Sequence, residues 1–133
     1  ESELISRIGI ASHTLQISVN DQHLKELYNR ALLFVYPSYY EGFGIPILEA
    51  YTCNCPVALS QASCFPEIAG NAAAYFDPFS VSSMVEAIKS VIYDEAERTR
   101  LILAGKERIK LYSWEKATRQ TELVYRKVAK AVF

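Results

Sequence analysis

The stretch Leu32-Leu33-Phe34-Val35-Tyr36-Pro37-Ser38-Tyr39-Tyr40-Glu41-Gly42-Phe43-Gly44-Ile45-Pro46 decides the fold. Its first five residues are apolar with no polar alternation, which marks a strand covered on both faces, as in a parallel sheet sandwiched between helices. Pro37 ends that strand and a loop runs to Gly44. Ile45 to Cys53 then reads as a helix of about two to three turns, with Pro46 suited to the first turn, where its missing N–H costs nothing. A second short strand, Pro56-Val57-Ala58-Leu59-Ser60, completes a strand-helix-strand unit.

The pattern extends in both directions. Upstream, Glu3 to Gly9 has helical character, and Thr14-Leu15-Gln16-Ile17-Ser18-Val19 is branched and alternating enough for a strand. Asp21 is the expected N-cap of a helix with Leu24, Leu27, Tyr28 and Ala31 at helical spacing. Downstream, Ala72 to Phe76 reads as one more strand, entered through Gly70-Asn71 and ended by Asp77-Pro78. Ser80 caps a helix with Val81, Met84, Val85, Ile88, Val91 and Ile92 on one face, and a charged helix follows over Glu95 to Lys110. Both are expected to pack on the sheet. Ser113 caps a last helix whose stripe of Trp114, Ala117, Thr121, Val124, Val128 and Val132 makes Trp114 an expected core residue, the alternative being that this helix crosses to another domain.

These elements predict an α/β fold: a Rossmann-like, doubly wound parallel sheet of about four strands with extra C-terminal helices, and ligands at the carboxyl ends of the strands. Such a domain normally begins with a strand and a first phosphate loop. Neither is present, and the sequence opens at Glu1 without methionine, so residues 1–133 are expected to be a partial domain truncated at its N-terminus.

Composition narrows the function. With 133 residues the chain is long enough for one core, and 50% hydrophobic with 22% charged residues is ordinary globular usage. A net charge of -1 argues against a nucleic-acid partner. No apolar run approaches the roughly 20 residues of a membrane span. Three cysteines, an odd number, suit a reducing compartment better than a disulfide framework.

The loop before Ile45 carries the candidate chemistry. A helix N-terminus presents unpaired N–H groups and about half a positive charge, and so holds phosphate where side chains leave room. Gly42 and Gly44 leave that room. Glu41 lies in the loop and Glu49 about one turn inside the helix, where side chains lean toward the N-terminus. Carboxylates repel a diphosphate but accept from hydroxyl groups, and ribose and hexose each offer a pair. Glu41 and Glu49 flanking a phosphate-binding helix end therefore suit a sugar linked to a nucleoside diphosphate.

Tyr36-Pro37-Ser38, Glu41-Gly42-Phe43-Gly44-Ile45-Pro46 and Leu48-Glu49-Ala50 resemble the signature of the retaining glycosyltransferases with two Rossmann-like domains, the GT-B type of glycosyl transferases group 1, similar to glycosyltransferase family 4. Cys55-Pro56-Val57, Phe65-Pro66-Glu67-Ile68-Ala69-Gly70-Asn71-Ala72-Ala73, Asp77-Pro78 and Tyr112-Ser113-Trp114-Glu115 follow in that family's order, so the resemblance covers Thr14 to Lys127. It implies a C-terminal, donor-binding domain whose acceptor domain and diphosphate-neutralising basic residues lie upstream of this sequence. By the same resemblance Glu41 is the catalytic-site carboxylate on the donor hexose, the backbone of Gly42, Phe43, Gly44 and Ile45 contacts sugar and diphosphate, Glu49 holds the ribose, and Ser38 joins the donor site. The resemblance also implies that the loop near Ser18 and Val19 borders the base. Asn54 stands where the family has glycine, and is the residue best able to replace it in a left-handed turn. Tyr51 and Thr52 replace smaller residues.

The implied reaction is transfer of a hexose of mannose, glucose or galactose type from a UDP- or GDP-linked donor to a glycan or lipid-linked acceptor, with retention. No cofactor or metal is required by it, since a helix end and basic groups can stabilise the leaving diphosphate. The chain by itself is expected to be inactive. Its expected location is cytoplasmic, with peripheral association at the inner face of the membrane as an option. The alternatives are a non-catalytic nucleotide-sugar-binding module and an interaction module using the tyrosine-rich loop. Simpler roles exist for single residues: Ser38 as a turn former, Glu49 as a charge favouring its helix end, and Glu67 as a surface or cap residue. Cys53, Cys55 and Cys64 lack a fourth ligand at metal spacing, and His13 and His23 are remote in sequence.

Overall fold

The computed structural model describes residues 2–132. Three parallel strands, β1 (Phe34–Tyr36), β2 (Val57–Ser60) and β3 (Ala73–Phe76), form one sheet in the order β1-β2-β3. Phe34 pairs with Val57 and Val57 with Ala73, and the register continues through Tyr36, Leu59 and Tyr75. Every residue of β2 is buried, as continuous apolar composition in a central parallel strand requires.

Helix α3 (Ile45–Thr52) carries the chain from β1 to β2, and the short α4 (Phe65–Ala69) carries it from β2 to β3. On one side of the sheet Phe34, Tyr36, Val57, Leu59, Ala73 and Tyr75 meet Ile47, Ala50 and Tyr51 of α3 and Phe65, Ile68 and Ala69 of α4. Helix α2 (Asp21–Arg30) closes this core at its margin, where Leu24 and Tyr28 pack. Ile47, Leu59 and Phe65 are fully buried, each contributing roughly 1.5–3 kcal/mol of transfer free energy. On the opposite side Val35, Ala58, Ala74 and Phe76 meet Met84 and Ala87 of α5 (Val81–Ile92). Helices thus cover both faces, as the sequence predicts. Ser60 Oγ, at the carboxyl end of β2, is buried without a hydrogen-bond partner.

Several boundaries differ from expectation. The described sheet has three strands rather than about four, because Thr14 to Val19 forms no strand and is exposed throughout. Its branched residues suit an extended chain, but a strand needs a hydrogen-bonding neighbour, and among the described residues none lies beside it. Helix α1 (Ser2–Arg7) and a 3-10 turn at Ala11–His13 precede it. Asn20, not Asp21, caps α2: its side chain accepts from His23 N at 3.0 Å. Helix α4 is an addition to the sequence reading. Ser80 caps α5 by accepting from Ser83 N at 3.2 Å.

Helix α6 (Glu95–Ile109) lies against α3 and α5 and meets the sheet at β3. Arg108 ties it to α4 by donating to the carbonyls of Ile68, at 2.7 Å, and Glu67. Helix α7 (Trp114–Val132) carries the cap foreseen at Ser113, which accepts from Lys116 N at 3.1 Å. Its stripe, however, is uncovered from Trp114 through Val128, the side chain of Val132 lying outside the described residues. Trp114 is 81% exposed, so it is not a core residue, and Val124 and Val128 are exposed with it. The amphipathic pattern made the helix but found no described element to pack against.

Candidate functional site

The loop from Pro37 to Gly44 leaves β1 at its carboxyl end and enters α3. Gly44 is the N-cap, with φ of 99°, a conformation that disfavours any side chain, and no side chain caps the helix end. The first-turn N–H groups are therefore left without side-chain acceptors. Space confirms the residue type: a Cβ on Gly44 would stand 3.0 Å from Ile47 Cδ1 and 3.2 Å from Phe65 Cε1. Gly42 is different. A Cβ there meets nothing within 4 Å, so the fold itself does not demand glycine at that position. Phe43 and Ile45 are exposed, and Pro46 lies in the first turn.

Each candidate carboxylate is held by a tyrosine. Tyr36 Oη donates to Glu41 Oε1 at 2.6 Å, and Tyr28 Oη donates to Glu49 Oε2 at 3.4 Å. Burial first, then the neighbouring carboxylate, pushes both phenols up to about 12, so both stay protonated donors across the neutral range. The two tyrosines belong to one run of rings. Tyr28 meets Phe34 edge-on at 5.2 Å between centroids, Phe34 stacks on Tyr36 at 5.6 Å, and Tyr36 meets Phe65 at 5.1 Å.

The loop is also fastened from the segment after β2. Ser63, with φ of 52°, accepts from Glu41 N at 3.3 Å and donates to Glu41 O at 2.9 Å. Cys64 Sγ lies 3.3 Å from Glu41 O and 3.1 Å from Phe43 O, within reach of a weak S–H bond. Ser38 Oγ donates to Tyr40 O at 3.2 Å, the turn-forming role weighed for it. Tyr36, Tyr28, Ser63 and Cys64 were not identified as site residues from sequence. Tyr36 and Tyr28 read as apolar positions, and only their polar tips hinted at more.

A groove of about 900 Å³ runs between α3 and the start of α7, lined by Ile45, Leu48, Glu49, Tyr112, Trp114 and neighbours. It takes in Glu49 but not Glu41. Among the described residues no cluster of His, Cys, Asp and Glu has the arrangement of a metal site, and no helix is long and apolar enough to cross a membrane. Cys55 is buried, which pushes its thiol up to about 11.

Against known proteins, residues 2–108 match the family described as Glycosyl transferases group 1. The chain is 41% identical over 108 residues to O-antigen chain mannosyltransferase B of Escherichia coli, which covers 81% of this chain and 28% of that protein. It is 30% identical over 131 residues to an MMP alpha-(1->4)-mannosyltransferase of Mycolicibacterium hassiacum, covering 94% of this chain and 32% of that one. Among solved structures, sucrose-phosphate synthase from Thermosynechococcus elongatus superposes with a TM-score of 0.87 at 26% identity, over 98% of this chain and 34% of the other. The chain thus spans about a third or less of the length of these relatives. Three parallel strands with helices on both faces, an uncapped helix end after Glu41-Gly42-Phe43-Gly44 and these likenesses agree, and the chain belongs to the glycosyl transferases group 1 family, with the GT-B fold.

Proposed function

We propose that this chain is the donor-binding, C-terminal domain of a retaining hexosyltransferase whose acceptor domain lies elsewhere in a longer protein. The donor is a hexose on UDP or GDP and the acceptor a glycan or lipid-linked saccharide. The diphosphate sits at the N-terminus of α3, between Gly42 and Ile45. Glu41 accepts from hexose hydroxyls and Glu49 from the ribose, while Ser38 borders the donor through its loop. In the reaction the bond from the anomeric carbon to the diphosphate oxygen breaks, an acceptor oxygen takes its place on the same face, and the acceptor proton passes to the departing diphosphate. The helix end shares the negative charge that develops on the departing diphosphate, and no metal is needed for that share. Transfer of mannose, the sugar in the names of two relatives, is the most economical choice of hexose. Such a protein works in the cytoplasm or at the inner face of the membrane.

The observation that carries this reading is the pair of carboxylates, Glu41 and Glu49, each bonded to a tyrosine on either side of a helix end that no side chain caps. The test is calorimetric titration of the full-length protein with UDP, GDP and their hexose conjugates. Glu49→Ala is expected to abolish nucleotide binding in a folded protein, and Glu41→Ala to erase the preference for sugar-nucleotide over nucleotide. Unchanged affinity in folded Glu49→Ala refutes the ribose assignment. If the wild type binds nucleotide sugar but transfers nothing to any saccharide acceptor, the non-catalytic binding module is the better reading.

A further inference from the structure

The hydrogen bond from Tyr36 to Glu41 is short, 2.6 Å, in the range of a neutral hydroxyl donating to an ionised oxygen. A glutamate at the surface of a loop ordinarily spreads over many rotamers, and a ligand must freeze them when it binds. Here the donor that selects the rotamer cannot swing away. The Tyr36 ring is stacked on Phe34 and lies against Phe65, which is fully buried and would stand 3.2 Å from a Cβ placed on Gly44. The Glu41 backbone is fixed independently, by Ser63 at both its N–H and its carbonyl. Main chain and carboxylate are thus each tethered to the core: Oε1 accepts from Tyr36, and Oε2 accepts from no donor among the described residues.

We propose that Tyr36 is a positioning residue that presents Glu41 Oε2 to the donor sugar, and that Tyr28 plays the same part, more loosely at 3.4 Å, for Glu49. The inference rests on the donor reading above and adds to it the source of its geometry. Preorganisation of this kind raises affinity by removing the ordering cost before the ligand arrives. Because Tyr36 acts through the sugar-reading carboxylate and Tyr28 through the ribose-reading one, their loss has different signatures. Loss of the Tyr36 hydroxyl weakens the sugar-nucleotide only. Loss of the Tyr28 hydroxyl weakens nucleotide and sugar-nucleotide alike, and by less, since its bond is longer.

The experiment compares wild type, Tyr36→Phe, Tyr28→Phe and Glu41→Ala in the full-length protein, titrated with UDP, UDP-glucose, GDP and GDP-mannose. Phenylalanine keeps the run of rings, so folding is expected to survive. The ratio of nucleotide Kd to sugar-nucleotide Kd should fall about tenfold in Tyr36→Phe, the scale of one hydrogen bond to a charged group, with the nucleotide Kd itself unchanged. Tyr28→Phe should leave the ratio alone. If Glu41→Ala loses the preference while Tyr36→Phe keeps it, the positioning role is overturned and the donor reading stands. If Glu41→Ala keeps the preference, or neither nucleotide pair binds, the donor reading falls and this inference with it. A ligand-free measurement stands beside these: the Tyr36 phenol should titrate at lower pH in Glu41→Ala than in wild type, and an unchanged titration overturns the hydrogen bond on which the role depends.

Discussion

Gly105 of α6 lies so close to Tyr51 of α3 that a Cβ on the glycine would stand 2.6 Å from Tyr51 Cδ1. The ring cannot retreat easily, because it is 3% exposed and its hydroxyl donates to Ala72 O at 3.1 Å. The contact seats α6 on the helix that follows the Glu41 loop. Gly105→Ala should destabilise the fold by about 1–3 kcal/mol through overpacking, read as a lower midpoint in urea. A midpoint unchanged or raised would show that the two helices separate freely.

The two loop glycines should respond oppositely. Gly44→Ala forces a side chain into a left-handed conformation and against Ile47 and Phe65, at a cost of about 1–3 kcal/mol. Gly42→Ala meets open space and should leave thermal stability unchanged, yet weaken nucleotide-sugar binding if the backbone there lies against the ligand. Equal melting shifts in the two variants would contradict the geometry.

Asn54 holds φ of 56° just beyond α3. Asn54→Ala should cost about 1–2 kcal/mol, the strain of a left-handed residue with a Cβ, whereas Asn54→Gly should be neutral or slightly stabilising. Differential scanning calorimetry of the two variants decides it.

Alkaline pH should loosen the fold over a defined window. Tyr28, Tyr36 and Tyr75 are each pushed up to about 12 from the ordinary 10, chiefly by burial, and burial raises Tyr51 still further. Between pH 10 and 12 the unfolded chain releases protons that the folded chain keeps, so stability is intact below pH 10 and declines as pH rises through that interval. Denaturant midpoints measured across it should fall, and fall less steeply in Tyr36→Phe. A midpoint constant to pH 12 would mean that these phenols ionise freely.

Much of this was legible from residue order. Continuous apolar composition located β1 and β2, Pro46 and the glycines located the start of α3, and Ser80, Ser113 and Asn54 act as their types dictate. Asn20 and Asp21 are both good caps, so composition could not choose between them; the backbone did, by starting the helix at Asp21. Helix α4 is too short, with Pro66 in its first turn, to leave a helical period. Trp114 shows the limit of amphipathic patterning, which predicts a face but not its partner. The tethers of the candidate site escaped for a different reason. Tyr28 precedes Glu49 by 21 residues and Ser63 follows Glu41 by 22, and such pairs arise only once crossovers bring distant segments together.

Strand β1 has a single hydrogen-bonded neighbour among the described residues, whereas β2 is paired on both sides. Edges of sheets fray first, and a loop issuing from one would inherit that looseness. Ser63 and Cys64 instead join the Glu41 loop to the turn leaving β2. In amide exchange, the loop's N–H at Glu41 should therefore report the opening of the sheet's middle, and remain protected after the outer strand has begun to breathe.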